Sequence, residues 1–180
     1  MTKNDVPKEK LLSLIHEVDL HLTQKINIYA VGGTAMTLLN LKASTKDIDF
    51  NLETNDLKEF KNALSKTIHG YDIDLYSNGC IFTQQLPQDY KKQAILMKEK
   101  FDNINLYVIH PIDIVVTKIG RLNERDFEDI SDCIKKYKLT KAQIRKRGKQ
   151  IVYAGNEELY NYNLNDILEK MFSKKKTKLM

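Results

Sequence analysis

The chain of 180 residues contains little that would support a metal–thiolate site, a disulfide framework or a membrane span. Its two cysteines, Cys80 and Cys133, form no C-x-x-C pair, and its four histidines are scattered. A zinc site or a disulfide framework is therefore not expected, and a reducing cytoplasm suits this composition. No apolar run approaches the ~20 residues that a transmembrane helix needs, and the charged N-terminal sequence lacks the apolar core of a secretory signal.

Several short motifs of known chemistry are also missing. The chain has no G-x-G-x-x-G of a dinucleotide-binding fold, no G-K-[ST] of a P-loop and no G-x-S-x-G nucleophile elbow. No internal repeat is evident, and no linker rich in Pro, Gly or Ser divides the chain. With 42% hydrophobic and 29% charged residues, the composition is that of a globular protein with a substantial core.

Charge is distributed unevenly along the chain. Residues 1–137 carry 18 Lys and Arg against 20 Asp and Glu, whereas residues 138–180 carry 11 against 4. We therefore expect a core at 1–137 and a basic C-terminal segment at 138–180 that is not an independent domain. Such a segment favours an anionic partner such as RNA, although a solvated lysine-rich surface would give the same count.

The spacing of apolar residues predicts the order of helices and strands. Strands are expected at 26–31, 47–52, 71–77, 93–98 and 105–109, with GCIFTQ as a hairpin partner of 71–77. Helices are expected at 7–24, 34–41 and 54–70, then as two helices or one bent helix after Pro111, from a cap at Thr140 to 152, and at 165–172, before a disordered KKKTK tail. This order predicts an α/β, or α+β, fold: a mixed sheet flanked by helices, with a helical C-terminal segment.

The most informative stretch is AVGGTAMTLLNLKASTKDIDFNL, at residues 30–52. Gly32 and Gly33 follow an apolar strand and precede a helix, so the backbone there can approach a ligand closely and adopt a positive φ. Free N–H groups at a helix start favour an anion, and the hydroxyl of Thr34 adds a donor. Taken alone, a Gly-Gly pair indicates no more than a turn.

Asp47 and Asp49 stand two positions apart in the next strand, so their side chains share one face about 6.5 Å apart. The two carboxylates would repel each other unless water or a cation separates them. Mg²⁺ suits this arrangement because it binds carboxylates together with waters and substrate phosphates. An acidic, exposed strand face is the simpler explanation for an isolated D-x-D. It is less adequate here because the other face, with Ile48, Phe50 and Leu52, is apolar.

The order strand, Gly-Gly, helix, Asp-x-Asp, strand resembles the nucleotidyltransferase superfamily with the DNA polymerase beta-like fold. The resemblance implies that Gly32, Gly33 and Thr34 bind a nucleoside triphosphate. It also implies that Asp47 and Asp49 are catalytic and bind Mg²⁺ or Mn²⁺.

The same superfamily normally supplies a third carboxylate from a later strand. Asp74, in the alternating stretch YDIDLYS, is the candidate for this third metal ligand, and Asp72 shares its face. Asp113 is a second option, although it stands near a helix start, where a capping or dipole role would also explain it.

The stretch PIDIVVTKIGRLNERDFEDI resembles a later motif in one branch of the superfamily. That branch contains minimal, uncharacterised nucleotidyltransferases and the abortive-infection and toxin–antitoxin nucleotidyltransferase toxins. Lys118 matches the lysine of the motif, and Arg125, Asp126 and Asp129 match its Arg-Asp-x-x-Asp segment. From the residues alone, Lys118 and Arg121 share a helix face and could bind phosphates, and Asp126 could orient a cation or the acceptor. Ordinary ion pairs on a helix surface would give the same pattern.

The leading hypothesis is therefore a metal-dependent nucleotidyltransferase with catalytic Asp47, Asp49, Lys118 and Asp126. It would transfer a nucleoside monophosphate from an NTP to an RNA such as tRNA, or to a protein, and release pyrophosphate. A partner antitoxin is implied by the resemblance alone. The alternatives are a catalytically inactive nucleotide- or RNA-binding module on the same fold, and an adaptor that binds nucleic acid only through residues 138–180.

An RNA contact surface is a further hypothesis for the C-terminal segment. Basic residues at 145–149 stand close to tyrosines that could stack on bases, namely Tyr153, Tyr160 and Tyr162. A solvated helix with tyrosines packed on the core would explain the same residues.

Overall fold

The computed structural model describes residues 5–173. These residues form a mixed sheet of five strands, two smaller sheets and eight helices. The predicted α/β, or α+β, fold with helices around a mixed sheet is confirmed. The predicted disordered tail at 174–178 lies outside the described residues.

The strands and helices follow one another along the chain without a long interruption. The strands are β1 (Val6–Pro7), β2 (Ile26–Ala30), β3 (Ser44–Thr45), β4 (Ile48–Leu52), β5 (Ile73–Ser77), β6 (Cys80–Ile81), β7 (Gln84–Gln85), β8 (Ile95–Leu96), β9 (Ile104–Val108) and β10 (Val152–Tyr153). The helices are α1 (Lys8–Asp19), α2 (Gly32–Leu38), α3 (Thr54–Leu64), α4 (Tyr90–Gln93), α5 (Pro111–Ile119), α6 (Glu124–Tyr137), α7 (Lys141–Gly148) and α8 (Glu157–Phe172).

The central sheet has the strand order β5-β4-β2-β9-β8. Strand β2 pairs antiparallel with β4 and parallel with β9, while β4 pairs parallel with β5 and β8 pairs antiparallel with β9. Of the smaller sheets, one joins β1 to β3 and the other has the order β10-β7-β6. The end of β2 and the start of β4 therefore lie side by side, although a helix separates them in sequence.

One face of strand β4 packs into the hydrophobic core. Its alternating apolar residues, among them Phe50, are buried, and Phe50 packs edge-on against Phe60 of α3 at 5.8 Å between ring centroids. On the other face, Asn51 is also fully buried. Its amide accepts the N–H of Gly79 at 2.9 Å and the hydroxyl of Tyr90 at 3.1 Å, so its polar atoms are satisfied inside the protein.

Helix α5 lies at the centre of the helical layer, and all of its residues are buried. Pro111 occupies its first turn, where the missing N–H has no cost, and Nδ1 of His110 accepts the N–H of Ile112 at 3.1 Å. Helices α6, α7 and α8 pack around α5. None of the helices formed by residues 5–173 has the length and apolar character needed to cross a membrane.

The helices that follow α5 begin at side-chain caps. Asn123 and Asp126 form a reciprocal capping box at α6, and Thr140 and Gln143 form another at α7. The predicted cap at Thr140 is confirmed. Each box satisfies backbone N–H groups that have no partner within the helix.

Several predictions for the first half of the fold are wrong. Helix α2 runs from Gly32 to Leu38 rather than over 34–41, so both glycines lie in its first turn. Helix α1 ends at Asp19 rather than residue 24, and the Asp19 carboxylate accepts the N–H groups of Asp102 and Asn103 at 2.8 Å each. Helix α3 ends at Leu64 rather than residue 70. The GCIFTQ segment does not pair with β5. Residues 80–85 instead pair with each other as β6 and β7, while β5 pairs with β4.

The predicted C-terminal helix boundaries are also wrong. Helix α7 stops at Gly148, and residues 152 and 153 pair with β7 as strand β10. Helix α8 begins at Glu157, well before residue 165, because the Asn156 side chain accepts the N–H of Leu159 at 2.9 Å and starts the helix there.

Candidate active site

The twin glycines and the acidic strand meet at the start of α2. Gly32 has a φ of +56°, and a Cβ built on it would lie 2.9 Å from Oδ2 of Asp49. A Cβ on Gly33 would clash with Oγ1 of Thr45. Both positions therefore require glycine, because the backbone passes directly beside side chains of the acidic segment.

Thr34 connects α2 to the backbone of the acidic strand. Its side chain is fully buried, and its hydroxyl accepts the N–H of Asp49 at 2.8 Å while donating to the carbonyl of Asp47 at 3.3 Å. The hydroxyl therefore fixes the backbone that carries both aspartates. A contact with phosphate would require it to leave these partners, so the phosphate-binding role of Thr34 stays a prediction.

A cavity of about 550 Å³ beside the glycines brings the predicted metal ligands together. Asp47, Asp49 and Asp74 all line it, and so do Gly32 and Gly33. Asp74 is the direct register partner of Asp49 on the neighbouring parallel strand. Burial, together with the nearby charges of Asp74 and Asp47, raises the pKa of Asp49 to about 7. Full ionisation of this cluster at neutral pH therefore needs positive charge close by.

Lys118 and Arg121 bring positive charge to the same cavity. Lys118 is only 6% exposed, and its Nζ lies 3.0 Å from Asp126 and 2.7 Å from Asp129. Arg121 binds Asp126 through two hydrogen bonds of 2.8 Å. Both cations also act to lower the pKa of Asp49, against the effects of its burial and its acidic neighbours.

Asp126 is buried at the start of α6, beneath these two cations. Burial alone would raise its pKa, but the hydrogen bonds from Arg121 and Lys118 outweigh burial and lower the pKa of Asp126 to about 2. In the structure, Asp126 binds Lys118 and Arg121 and caps α6. Direct participation of Asp126 in catalysis stays a prediction. Arg125 is exposed and lines the cavity, as a phosphate-binding residue would.

Lys42 and Lys46 line the cavity as well, and neither was predicted from the sequence. Nζ of Lys42 lies 2.8 Å from Oδ1 of Asp129, which is 87 positions away in the chain. Lys46 stands immediately before Asp47, so its place beside the acidic pair could have been noticed. The ion pair of Lys42 with Asp129 depends on the packing of distant elements, so no pattern in the neighbouring sequence predicts it.

Comparison with known proteins agrees with this geometry. The model of one protein family, described as a nucleotidyltransferase of unknown function (DUF6036), matches residues 9–178. The chain belongs to this nucleotidyltransferase family. The predicted superfamily is thereby confirmed, while its toxin–antitoxin branch stays a prediction. No curated protein and no solved structure was found to match the chain.

The carboxylates of this nucleotidyltransferase form an incomplete ligand set for a metal ion. Within residues 5–173, no group of three or more His, Cys, Asp and Glu side chains is arranged so that it could hold a metal ion by itself. Mg²⁺ and its close analogue Mn²⁺ do not need such a group, because Mg²⁺ commonly uses one or two carboxylates with waters and substrate phosphates. The donor set therefore fits a cation that binds together with a nucleotide.

A second cavity of about 300 Å³ adjoins the cavity of about 550 Å³ that Asp47, Asp49 and Asp74 line, which we call the charged cavity. The two cavities share Gly32, Phe82, Lys118 and Arg121. The other residues that line the second cavity come from the β6–β7 hairpin, α5 and β10, and they are Ile81, Thr83, Gln84, Thr117, Gly120 and Tyr153. Its lining is mainly apolar, so we refer to it as the apolar cavity.

The basic C-terminal segment packs on the nucleotidyltransferase core. Arg147 is only 4% exposed, and it donates hydrogen bonds to Asp113 at 2.6 and 3.0 Å and to Asp89 at 2.6 Å. The buried hydroxyl of Tyr160 donates to the carbonyl of Val116 at 3.0 Å. Neither Arg147 nor Tyr160 is available to bind RNA at the surface, and Asp113 is engaged by Arg147.

The remaining members of the predicted RNA contact surface differ in exposure. Arg145, Lys146, Lys149 and Tyr162 are exposed, whereas Tyr153 is partly buried and lines the apolar cavity. The exposed cations keep an RNA-binding role as a prediction, and the tyrosines do not form one exposed stacking surface.

Proposed function

We propose that this nucleotidyltransferase moves a nucleoside monophosphate from an NTP to an RNA such as tRNA, or to a protein hydroxyl, in a reaction that depends on Mg²⁺ or Mn²⁺. The observation that carries the proposal is the close approach of the Gly32 backbone to Asp49, inside a cavity that Asp47, Asp74, Lys118 and others also line. A triphosphate needs this combination of bare backbone, fixed cations and carboxylates that hold a metal.

The phosphates would lie between the glycine turn and the cations. Gly32 and Gly33 allow backbone N–H groups at the start of α2 to approach the β- and γ-phosphates without a clash from a Cβ. Lys118, Arg121 and Arg125 would neutralise the charge that develops on the triphosphate. Lys118 is already fixed by its acidic partners, so little reorganisation accompanies its action.

One or two of the carboxylates of Asp47, Asp49 and Asp74, together with the phosphates, would hold the cation, which supplies activation of the acceptor oxygen and neutralisation of the leaving pyrophosphate. In the transfer, the acceptor oxygen bonds to the α-phosphorus, and the bond from that phosphorus to the bridging oxygen of pyrophosphate breaks. The acceptor proton leaves to solvent. Thr34 keeps Asp47 and Asp49 in position through the backbone throughout.

RNA is the favoured acceptor because of the charge at the C-terminus. Residues 138–180 carry 11 basic against 4 acidic residues, and Arg145, Lys146 and Lys149 are exposed. A protein hydroxyl is the other acceptor class that the resemblance implies. An antitoxin partner is part of the proposal on the resemblance alone.

The experiment is a transfer assay with an NTP labelled at the α-phosphate, total RNA and Mg²⁺. Label should appear on RNA with the parent chain, disappear with Asp49→Asn, and persist with Asp132→Asn, which removes an exposed carboxylate from α6. Addition of EDTA should stop the transfer. Transfer that continues in Asp49→Asn, or no transfer to RNA or protein under any condition, contradicts the proposal.

A catalytically inactive nucleotide- or RNA-binding module is the second candidate. The observation in its favour is that Lys118 and Arg121 are already engaged by Asp126 and Asp129, so less of their charge is available to a transition state. The module predicts nucleotide binding that survives Asp49→Asn without any transfer. The basic adaptor predicts instead that charge reversal at Lys146 and Lys149 abolishes RNA binding while Asp47→Asn has no effect.

A further inference from the structure

The hairpin between β6 and β7 carries a strained, exposed aromatic residue. Phe82 has a φ of +52°, in the left-handed region that bulky side chains rarely adopt. Its side chain is nevertheless 60% exposed, and its ring centroid lies 5.1 Å from that of Tyr76. Core packing does not explain an aromatic residue at this position. Backbone strain of this kind clusters at ligand sites, and Phe82 lines both the charged and the apolar cavity.

Gly120, directly after α5, lets two residues that line the apolar cavity pack closely against the end of the helix. Its backbone is right-handed helical, with a φ of −61°, so its conformation does not require glycine. A Cβ there would, however, lie 2.8 Å from Nε2 of Gln84 and 3.1 Å from Cε2 of Tyr153. The missing side chain therefore leaves room for two residues that line the cavity.

Gln84 is the polar side chain whose hydrogen bonding is incomplete at this cavity. It is 5% exposed, and its Nε2 donates to the carbonyl of Thr117 at 2.8 Å. Because a carbonyl only accepts, this bond fixes which end of the amide is the nitrogen. The other end, Oε1, is buried and has no hydrogen-bond partner among residues 5–173. A buried acceptor without a donor is unfavourable. Because Oε1 has almost no accessible surface in the ligand-free chain, a ligand that brings a donor would reach it by shifting the Gln84 amide.

Building on the proposed function, we propose that the apolar cavity binds the nucleobase of the NTP, and that Gln84 favours adenine or cytosine, whose amino groups stand at C6 and C4. The ring would stack on Phe82, since every base offers a π-face to an aromatic side chain. The amino group at C6 of adenine or C4 of cytosine would donate to Oε1, whereas guanine and uracil have a carbonyl at these positions, which would place one acceptor against another. The triphosphate continues past Gly32 into the charged cavity, because both cavities share that residue.

The test is calorimetric titration of the full chain in Mg²⁺ with matched pairs of ligands. ATP is compared with purine riboside triphosphate, which lacks only the amino group, and CTP is compared with UTP. We expect the amino-bearing member of each pair to bind about three- to tenfold more tightly. Gln84→Met removes the acceptor and should abolish this preference. Gln85→Met, which removes an amide bonded to the Asn78 carbonyl, should leave it intact.

Phe82→Gly separates a ligand-binding role from a structural one. Glycine adopts the left-handed backbone freely, so the melting temperature should hold or rise. ATP binding should weaken by roughly tenfold or more through loss of stacking, while binding of inorganic triphosphate, which has no base, should not change. Tyr162→Ala removes another exposed aromatic side chain and should leave ATP binding unchanged.

The results separate this proposal from the proposed function. Equal binding of ATP and purine riboside triphosphate, or ATP binding that is unaffected by Phe82→Gly, overturns the base subsite even if label transfer is observed. Selective binding with no label transfer overturns the transfer reaction and supports the subsite. If Gln84→Met fails to fold, the comparison of paired ligands on the parent chain still tests the preference for the amino-bearing base.

Discussion

Asp49 and Asp74 lie directly opposite each other on the parallel strands β4 and β5. Their register places two carboxylates side by side at the cavity that also contains Asp47. The sheet itself therefore concentrates negative charge beside the glycine turn, and the pKa of Asp49 rises to about 7 as a result of burial and these neighbours.

The raised pKa of Asp49 predicts a stability that depends on pH. Its pKa is about 7 in the folded chain, against an ordinary value of 3.8 for an aspartate. Between these values the folded chain binds the proton more tightly than the unfolded chain, so the free energy of unfolding falls as pH rises from about 4 to 7. Asp49→Asn should therefore be more stable than the parent by on the order of 2–4 kcal/mol at pH 8, and nearly equal at pH 4.

Urea denaturation in EDTA at pH 4, 6 and 8 measures this difference. Asp132→Asn, which changes an exposed aspartate on α6, is the matched control and should give no such trend. A stability difference between Asp49→Asn and the parent that is the same at all three pH values would show that Asp49 is not perturbed in this way.

Gly32→Ala should destabilise the fold and impair the site together. The new Cβ would meet Oδ2 of Asp49 at 2.9 Å, and the residue would be held at a φ of +56°. The left-handed backbone alone costs roughly 1–2 kcal/mol for a residue with a side chain. Gly70→Ala is the control, because a Cβ there meets nothing within 4 Å. Thermal unfolding of both variants measures the effect, and equal melting temperatures would contradict the observed contact.

Much of the candidate site could be predicted because its first half is local in sequence. Gly32 and Asp49 are separated by one short helix, and the alternation in β4 and β5 shows which faces carry Asp49 and Asp74. A Gly-Gly turn at a helix start and a D-x-D on a strand each leave a pattern within a few residues. The convergence of these two patterns follows once β2 and β4 are neighbours in the sheet.

The rest could not be predicted because it depends on contacts between distant segments. The ion pair of Lys42 with Asp129 and the pairing of β10 with β7 each join residues more than 60 positions apart. Gln84 appears in the sequence as an ordinary polar residue of a hairpin. Only the packing of the hairpin against α5 buries it and brings its amide to the carbonyl of Thr117.

Thr34→Val should cost stability even though it keeps the shape of the side chain. The buried N–H of Asp49 loses its acceptor, and an unsatisfied buried group costs about 1–3 kcal/mol. Thr37→Val is the control: it removes a buried hydroxyl from the same helix that bonds only to the carbonyl of Gly33, at 3.0 Å. Chemical denaturation should give a larger loss for Thr34→Val. A loss no larger than that of Thr37→Val would mean that Thr34 does not position the acidic strand.

Arg147→Met should strongly destabilise the packing of α7 on the core. It leaves the fully buried carboxylate of Asp113 without its partner, and breaking such a pair costs about 3–5 kcal/mol. The double variant Arg147→Met with Asp113→Leu removes the stranded charge and should recover most of that loss. Denaturation of the two variants measures the coupling. A double variant that is less stable than Arg147→Met would show that the pair does not act as a unit.

The most direct measurement of the proposed site is a crystal structure with a non-hydrolysable NTP analogue and Mn²⁺, in which anomalous scattering locates the metal. The proposed site predicts Mn²⁺ on one or two of the carboxylates of Asp47, Asp49 and Asp74, with the phosphates beside Gly32 and Gly33. Mn²⁺ and phosphates found together at any other place on the molecule, with these carboxylates free of both, would contradict it.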